Sequence, residues 1–252
     1  MSMLRALLWT DPAICILTVC MGSISLLASI VDGTGRLQHR IARRWARMVT
    51  AVSGVTVRVT GLDHLRPGAA YVFCANHLSL IDTPLVFGYL PWEFRVLAKK
   101  IYFGIPFLGW HLRRAGHLPV EPDNVRASVR NVADAARQAA LGLSIVIFPE
   151  GGRSRTGTLG EFHAGAAYIA IKAGAPVVPM GIVGTREVLP PGSIIVRPRT
   201  VELRIGSPIP TAGLTTRQAK DLLLELRRRI LELSGEPESA ARKEMPAANH
   251  SS

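Results

Sequence analysis

The chain has 252 residues, of which 48% are hydrophobic and 19% charged, so it is large and apolar enough for one α/β domain, and a disordered protein is excluded. Thirty basic residues against 18 acidic ones give a net charge of +12, which favours a polyanionic partner: an anionic membrane, a phosphorylated substrate or nucleic acid. The cysteines Cys15, Cys20 and Cys74 are odd in number and lack zinc-binding spacing, so the sequence predicts no disulfide framework and favours a reducing compartment.

The first predicted element is the uncharged segment 13–31. As a helix it spans roughly 28 Å, close to the ~30 Å core of a bilayer. Asp11 and Pro12 are predicted to start the helix, and Gly33 and Gly35 to end it. We favour a membrane-associated helix over a cleaved signal peptide, because the run is long and has no clear small-residue cleavage site. A buried core helix and a re-entrant hairpin remain open, since the segment contains several serines.

The segment 36–52 is predicted to be a basic amphipathic helix. Its arginines, which share one arc, are Arg36, Arg40, Arg43, Arg44 and Arg47. Apolar side chains, with Trp45 among them, occupy the other side, which is typical of a helix at an anionic membrane surface; an ordinary surface helix has the same pattern. The arginines also predict that this end faces the cytoplasm. Nucleic acid is disfavoured, because no exposed aromatics alternate with the basic residues and no recognition motif occurs.

From residue 53 short apolar runs alternate with helical patterns. This alternation predicts an α/β fold: a single domain over 53–234 with a mostly buried mixed sheet flanked by helices, preceded by the membrane-associated residues 1–52. The predicted strands are 55–59, 70–75, 94–98, 143–148, 177–183 and 201–205. The predicted helices are 85–90, 125–141, 162–173 and 216–233. Residues 235–252 are small, polar and charged, and are predicted to be a disordered tail.

Two loops that follow predicted strands carry polar residues, and ligands bind at such loops in open α/β sheets. In the first, CANHLSLIDTP, a turn can bring Asp82 to one imidazole nitrogen of His77 and leave the other nitrogen as a base for a substrate hydroxyl. Three alternatives stay open. The pair caps a helix and a loop; the pair binds a metal, although no further ligands stand at diagnostic spacing; or Cys74 is a nucleophile, which its apolar strand disfavours.

The second loop, FPEGGRSRTG, contains a candidate anion site. Gly151 and Gly152 let backbone N–H groups approach an anion, and the guanidinium of Arg153 matches a phosphate. Glu150 is predicted to orient Arg153. The loop lacks the Gly-Lys-Ser/Thr of a Walker motif, and a Gly-Gly-Arg turn alone is weak support for a site.

Together, NHLSLID and FPEGGRS resemble the glycerolipid acyltransferase family, in particular the 1-acyl-sn-glycerol-3-phosphate acyltransferases. The segments 97–121 and 175–182 are similar to further family blocks and stand in family order. The resemblance implies that His77, oriented by Asp82, deprotonates the sn-2 hydroxyl of a lysophospholipid. This hydroxyl then attacks the thioester of acyl-CoA or acyl carrier protein to give phosphatidic acid, at the cytoplasmic face of the inner membrane. It implies neither a metal nor another cofactor.

The resemblance also implies an acceptor site and leaves the acceptor open. The implied substrate-binding residues are Lys99, Glu150, Gly151, Gly152, Arg153 and Ser154. The stretch 102–110 is a candidate lining for the acyl chain, with plain core packing as the alternative. Gly152 replaces a family threonine and Pro122 a family arginine, so a lyso-ornithine lipid or a lysophospholipid with a larger head group is an alternative acceptor. A non-catalytic lipid-binding protein is a further alternative, and a thioesterase or lipase is disfavoured because GxSxG is absent.

Overall fold

The computed structural model describes residues 2–121 and 125–237. Its helices are α1 Ser2–Arg5, α2 Asp11–Val31, α3 Arg36–Val52, α4 Asp82–Tyr89, α5 Lys100–Phe103, α6 Leu108–Arg114, α7 Val125–Ala140, α8 Gly165–Ala173, α9 Thr185–Val188 and α10 Ala219–Ser234. Its strands are β1 Thr56–Thr60, β2 Val72–Ala75, β3 Phe94–Lys99, β4 Leu118–Val120, β5 Ser144–Ile147, β6 Val177–Val183 and β7 Thr200–Ile205.

The strands form one mixed sheet in the order β1-β7-β6-β2-β5-β3-β4. Neighbouring strands are parallel except β6 and β7, which are antiparallel. Every residue of β2 and β5 is buried, because their unbroken apolar runs are covered by helices on both faces of the sheet. One core cluster includes Phe73 and Phe94, and the other includes Ile145 and Leu226. The predicted fold class is confirmed.

The six predicted strands are present, and the elements that the prediction missed are short. They are β4, α5, α6 and α9, with three to seven residues each, too few to produce a periodic pattern. Helix α4 begins at Asp82 rather than at residue 85. The aspartate therefore lies in the first turn, where the positive end of the helix dipole stabilises a carboxylate.

The N-terminal helix is longer than predicted. Between α1 and α2 the π-helical turn Ala6–Thr10 continues the helix, so the prediction that Asp11 and Pro12 start it is wrong. Pro12 has no N–H and its ring crowds the preceding turn, and the wider π turn accommodates both effects. The helical stretch Met3–Val31, which contains an 18-residue window of mean hydropathy 2.4, is long and apolar enough to cross a membrane by length and composition.

One stripe of this helix packs along the rest of the protein. It consists of Thr10, Ile14, Thr18, Gly22, Ser25 and Ser29. Trp45 of α3 donates its indole N–H to the hydroxyl of Thr18 (3.1 Å), and the hydroxyl of Ser25 lies 3.0 Å from His111 Nδ1. Gly22 leaves room for the ring of Phe107, whose Cζ would lie 2.6 Å from an added Cβ. The small and hydroxyl-bearing residues of the stripe therefore face protein, and large apolar side chains face outward.

Helix α3 has the predicted bounds, but its arginines do not form one free row. Arg43 donates to the carbonyls of Leu90 and Trp92, each at 2.9 Å, and Arg47 donates to the carbonyl of Gly88 at 2.9 Å. These carbonyls lie at or just beyond the C-terminal end of α4, where the helix dipole favours a cation. Two of the five arginines therefore hold α3 against α4, while the other three are exposed.

The first three residues of the predicted disordered tail, 235–237, are ordered. Glu236 accepts a hydrogen bond from the side chain of Asn76, and its backbone N–H donates to the hydroxyl of Ser234 (3.3 Å). Residues 235–237 are therefore part of the folded domain. Residues 238–252 lie outside the described residues.

Candidate active site

The two loops singled out from the sequence lie side by side at the carboxyl edge of the sheet. This follows from the parallel pairing of β2 and β5, the strands that precede them. The loops are also bonded to each other: the N–H of Ser154 donates to the carbonyl of His77 (2.7 Å), and the N–H of His77 donates to Glu150 Oε1 (2.9 Å). The chemistry of both motifs is thereby brought to one place.

His77 and Asp82 form a hydrogen-bonded pair. His77 Nδ1 lies 2.7 Å from Asp82 Oδ2, and the same oxygen accepts the N–H groups of Leu78 (2.7 Å) and Ser79 (2.8 Å). The carboxylate is fully buried, and the imidazole is stacked on the ring of Phe148, with centroids 4.2 Å apart. From the sequence, loop capping and orientation of the histidine are alternative roles. Asp82 performs both.

The proton position on His77 follows from its partner. A carboxylate accepts hydrogen bonds only, so Nδ1 carries the proton and Nε2 has the free lone pair. The imidazole lines a large cavity, and no described residue forms a hydrogen bond with Nε2. The arrangement can accept a proton from a group bound in that cavity.

Asn76, which the sequence analysis did not single out, fixes the first loop to the sheet. Its Oδ1 accepts the N–H of Ile182 (2.7 Å), and its Nδ2 donates to the carbonyl of the same residue (2.9 Å). The side chain thus pairs with β6 as another strand residue would. An asparagine directly after a buried strand is the only sequence signal for this role.

Glu150 braces two loops and does not orient Arg153, contrary to the prediction. Oε1 accepts the N–H of His77, and Oε2 accepts the N–H of Gly160 (3.0 Å). Burial raises the pKa of Glu150, although these two hydrogen bonds lower it. Ser154 is similarly occupied, because its hydroxyl donates to the carbonyl of Thr158 (2.8 Å). Both side chains hold the loop in shape.

The other residues of the second loop line a smaller cavity of 470 Å³ with the cations Lys99, Arg153 and Arg155. Arg155 belongs to the quoted loop but was not singled out, and His163, which lies beyond that loop, was not predicted. Gly151 has φ +68°, a conformation that favours glycine. An added Cβ at Gly152 would lie 3.4 Å from Lys99 Nζ, so the lysine reaches this loop from β3.

Arg186 holds the cationic loop from behind. It donates to the carbonyls of Ser154 (3.1 Å) and Arg155 (2.7 Å) from α9. Arg153 and Arg155 have exposed side chains, and neither forms an ion pair with a described residue. The loop therefore offers cationic groups to an anionic ligand. Pro122, where the resemblance places a missing arginine, lies outside the described residues.

The larger cavity has a volume of 1510 Å³. It shares Lys99, Gly151, Gly152, Arg153, Arg155 and His163 with the smaller cavity, and we call this shared part, together with His77, the mouth. Elsewhere its lining is mainly apolar, and we call Phe87, Val96, Leu112 and His117 the inner wall. Of the stretch 102–110, Tyr102 and Leu108 line this cavity.

Two alternative chemistries have little structural support. Cys74 is fully buried in β2, and burial raises the pKa of its thiol, so a reactive thiolate is disfavoured. Within residues 2–121 and 125–237, no group of three or more histidine, cysteine, aspartate or glutamate side chains is placed to hold a metal ion.

The acyltransferase family profile matches residues 56–183, about half of the sequence, and the chain belongs to this family. A 1-acyl-sn-glycerol-3-phosphate acyltransferase of Cocos nucifera is 32% identical over 166 residues, which are 66% of this chain and 53% of the relative. The chloroplastic 1-acyl-sn-glycerol-3-phosphate acyltransferase BAT2 of Brassica napus is 32% identical over 159 residues, 63% of this chain and 46% of the relative. This chain thus spans about half the length of these relatives.

A solved structure has the same fold. The 1-acyl-sn-glycerophosphate (LPA) acyltransferase PlsC from Thermotoga maritima superimposes with a TM-score of 0.73 at 25% identity, covering 95% of this chain and 100% of that one. The expected family and fold class are confirmed.

Proposed function

We propose that the protein transfers a fatty acyl group from acyl-CoA or acyl carrier protein to the free sn-2 hydroxyl of 1-acyl-glycerol-3-phosphate, which gives phosphatidic acid. The observation that carries this proposal is the His77–Asp82 pair, whose free Nε2 lies at the mouth of a large apolar cavity, beside a cationic loop. A base, an apolar channel and cations are what this reaction needs. Named relatives with this activity support the same choice.

In the proposed reaction, His77 Nε2 takes the proton of the acceptor hydroxyl. At the same time the oxygen of that hydroxyl attacks the carbonyl carbon of the thioester. The tetrahedral intermediate then collapses, the C–S bond breaks, and the thiolate takes the proton back from the imidazolium. The products are an ester and a free thiol. Asp82 stabilises the imidazolium and keeps the ring in position, as the aspartate of a catalytic triad does.

The acceptor phosphate binds at the cationic loop. Lys99, Arg153 and Arg155 provide three positive charges around the smaller cavity, and two of them are guanidinium groups that can bind a phosphate with two hydrogen bonds each. Gly151 and Gly152 add backbone N–H groups. Glu150 and Ser154 also line this cavity, and their side chains hold the loop in shape.

The protein lies on the membrane through residues 1–52, while residues 53–234 perform the transfer. The packed stripe of the N-terminal helix runs from Thr10 to Ser29, so almost the whole helix lies along the domain, which favours a position in the membrane surface over a crossing. Its outward side chains are apolar, for example Ile30 (78% exposed). The basic residues of α3 favour the cytoplasmic face of the inner membrane.

The cavity is close to this apolar surface. Ile101 and Trp110 are 72% and 55% exposed, and Phe107 between them packs at Gly22 of the N-terminal helix. Tyr102 and Leu108 of the same segment line the cavity. A lipid chain can therefore reach the cavity from the membrane without crossing water.

The test is an assay of the purified full-length protein in lipid nanodiscs, with long-chain acyl-CoA and a panel of lyso-lipids, in which thiol release and lipid product are both measured. We expect equal amounts of thiol and phosphatidic acid from lysophosphatidic acid. Thiol without lipid product identifies a thioesterase. Acylation only of a lyso-lipid without a phosphate monoester identifies the alternative acceptor, and binding without turnover identifies a lipid-binding protein.

Membrane attachment is tested by vesicle sedimentation. Glutamate at two outward positions, Ile16→Glu with Ile30→Glu, should weaken vesicle binding strongly, because both side chains lie on the exposed apolar face. The matched control is a double substitution to glutamate at exposed Leu141 and Ile194, far from this helix in sequence. Equal loss of binding in both variants contradicts the proposed attachment.

A further inference from the structure

The inner wall of the large cavity contains one polar side chain, His117. It precedes β4, is only 7% exposed, and shares this wall with Phe87, Val96 and Leu112. Its ring meets that of Phe87 edge to face, with centroids 5.7 Å apart. A polar group in such a wall costs free energy unless its hydrogen-bonding atoms are satisfied.

Only one ring nitrogen of His117 has a partner among the described residues. Nδ1 accepts the backbone N–H of Val96 (3.2 Å). Burial, together with the charges of His111, Arg95 and His39, holds the pKa of His117 well below its ordinary value, so the ring is neutral. Because Nδ1 accepts, the single proton is on Nε2. No described residue accepts a hydrogen bond from it, and the ring of His111, with its centroid 6.3 Å away, is not within bonding distance.

His117 lies well inside the cavity. The pairing of Leu97 with Leu118 places His117 level with Val96, and Lys99 at the mouth is three residues further along β3. At about 3.3 Å per residue, the histidine is roughly 10 Å below the mouth. An acyl chain whose carbonyl is at His77 would therefore pass His117 with its middle part.

We infer that this cavity takes an aliphatic acyl chain that carries a hydrogen-bond acceptor, a hydroxyl or keto oxygen, in its middle part. The Nε2–H of His117 donates to that oxygen. The inference rests on the proposed function, which places an acyl chain in the cavity. A chain that carries the oxygen accepts this hydrogen bond, whereas a chain without the oxygen displaces water from the donor and leaves it unpaired, so the site discriminates between the two chains.

The chain has two sources in the proposed reaction, the thioester donor and the acyl group already on the lyso-lipid. The chemistry that His117 recognises is the same in both. The experiment therefore has two arms. One compares mid-chain hydroxystearoyl-CoA with stearoyl-CoA, and the other compares lysophosphatidic acids that carry the same two chains.

In each arm, kcat/KM is measured with the full-length protein in nanodiscs, and the hydroxylated substrate is compared with the plain one. We expect the hydroxylated chain to be preferred in one arm, and His117→Asn to lower that ratio about tenfold, the effect of one neutral hydrogen bond. Asparagine can still accept the N–H of Val96 but does not reach the position of Nε2. Leu112→Met changes the same wall without changing its polarity and should keep the ratio.

Hydroxystearoyl-CoA and stearoyl-CoA are also titrated into His77→Ala protein by calorimetry. Because this variant does not turn over substrate, the titration reports the binding preference between the two chains alone. If the unsubstituted protein transfers no acyl group, a binding preference that is lost when His117→Asn is added upholds the inference while the proposed function fails. Equal kcat/KM and equal binding for the two chains in both arms overturn the inference even if transfer is fast. A preference that persists in both His117→Asn and His117→Phe overturns it as well, and thermal unfolding checks that these variants are folded.

Discussion

His77 at the mouth of the large cavity and His117 in its inner wall offer the cavity opposite hydrogen-bonding groups. His77 Nδ1 faces a carboxylate that accepts, so its Nε2 has a free lone pair. His117 Nδ1 faces a backbone N–H that donates, so its Nε2 carries the proton. The group that contacts Nδ1 therefore decides whether a neutral histidine offers the cavity a base or a hydrogen-bond donor.

The largest expected effect comes from removing the base at the mouth. His77→Ala should lower kcat roughly 10²- to 10⁴-fold, because general-base catalysis contributes about that much. The change leaves the inner wall intact, so preference among acyl chains in binding should stay the same. His64→Ala, on the loop after β1, is the matched control. Near-normal turnover in folded His77→Ala protein contradicts the proposed mechanism.

A second large effect is expected when the partner of His77 is changed. Asp82→Asn removes the charge that stabilises the imidazolium. The asparagine amide can also donate to His77 Nδ1, which moves the ring proton to Nε2 and removes the base. We expect a loss in kcat of about a hundredfold or more. Because Asp82 also accepts two backbone N–H groups, the melting temperature should fall too. An unchanged kcat means that the comparison between the two histidines does not explain catalysis.

A smaller effect is expected at the cationic side of the mouth. Arg153→Ala should raise KM for lysophosphatidic acid about tenfold, since a hydrogen bond to a charged group contributes about 1.5–3 kcal/mol and Lys99 and Arg155 remain. KM for acyl-CoA should change less. Arg217→Ala, outside both cavities, is the control for a general charge effect. If the two constants rise equally, Arg153 does not select the acceptor.

The smallest effect concerns the contact behind the mouth between Glu236 and Asn76. The pKa of Glu236 is raised from its ordinary value of 4.5 to about 7. Burial is the largest cause; the hydrogen bond from Asn76 lowers the pKa, the charges of Glu150 and Asp82 raise it, and the charge of Arg186 lowers it. Between pH 4.5 and about 7, Glu236 is therefore protonated when the segment is docked and ionised when it is not. Docking is strongest below pH 4.5 and weakens as the pH rises through about 7.

Hydrogen exchange of the backbone N–H groups of residues 234–236 at pH 5.5 and 8 measures this change. We expect less protection at the higher pH after correction for the intrinsic exchange rate. Glu236→Gln is neutral at both values and should remove the difference. A pH dependence that persists in this variant belongs to another group.

The sequence predicted the α/β class, six of the seven strands among the described residues, the bounds of α3 and the two loops that line the cavity. Long apolar runs and local motifs carry that information, because they depend on neighbours within a few residues. His77 and Asp82 were accessible for the same reason, since they lie in one short motif. Short elements such as β4 and α6 were missed, because tertiary contacts and not a periodic pattern stabilise them.

Tertiary structure alone decided the partners of Glu150 and His117. Glu150 and Arg153 are close in sequence, in the second loop. The carboxylate of Glu150 nevertheless accepts the N–H groups of His77 and Gly160. Nothing within a few residues of His117 predicts that its Nδ1 meets the N–H of Val96, which is 21 positions away. A hydrogen bond needs an approach within about 3 Å, and only the packing of distant segments sets distances that finely. The sequence thus determined which groups this protein possesses, and the fold determined which of them remain free to meet a substrate.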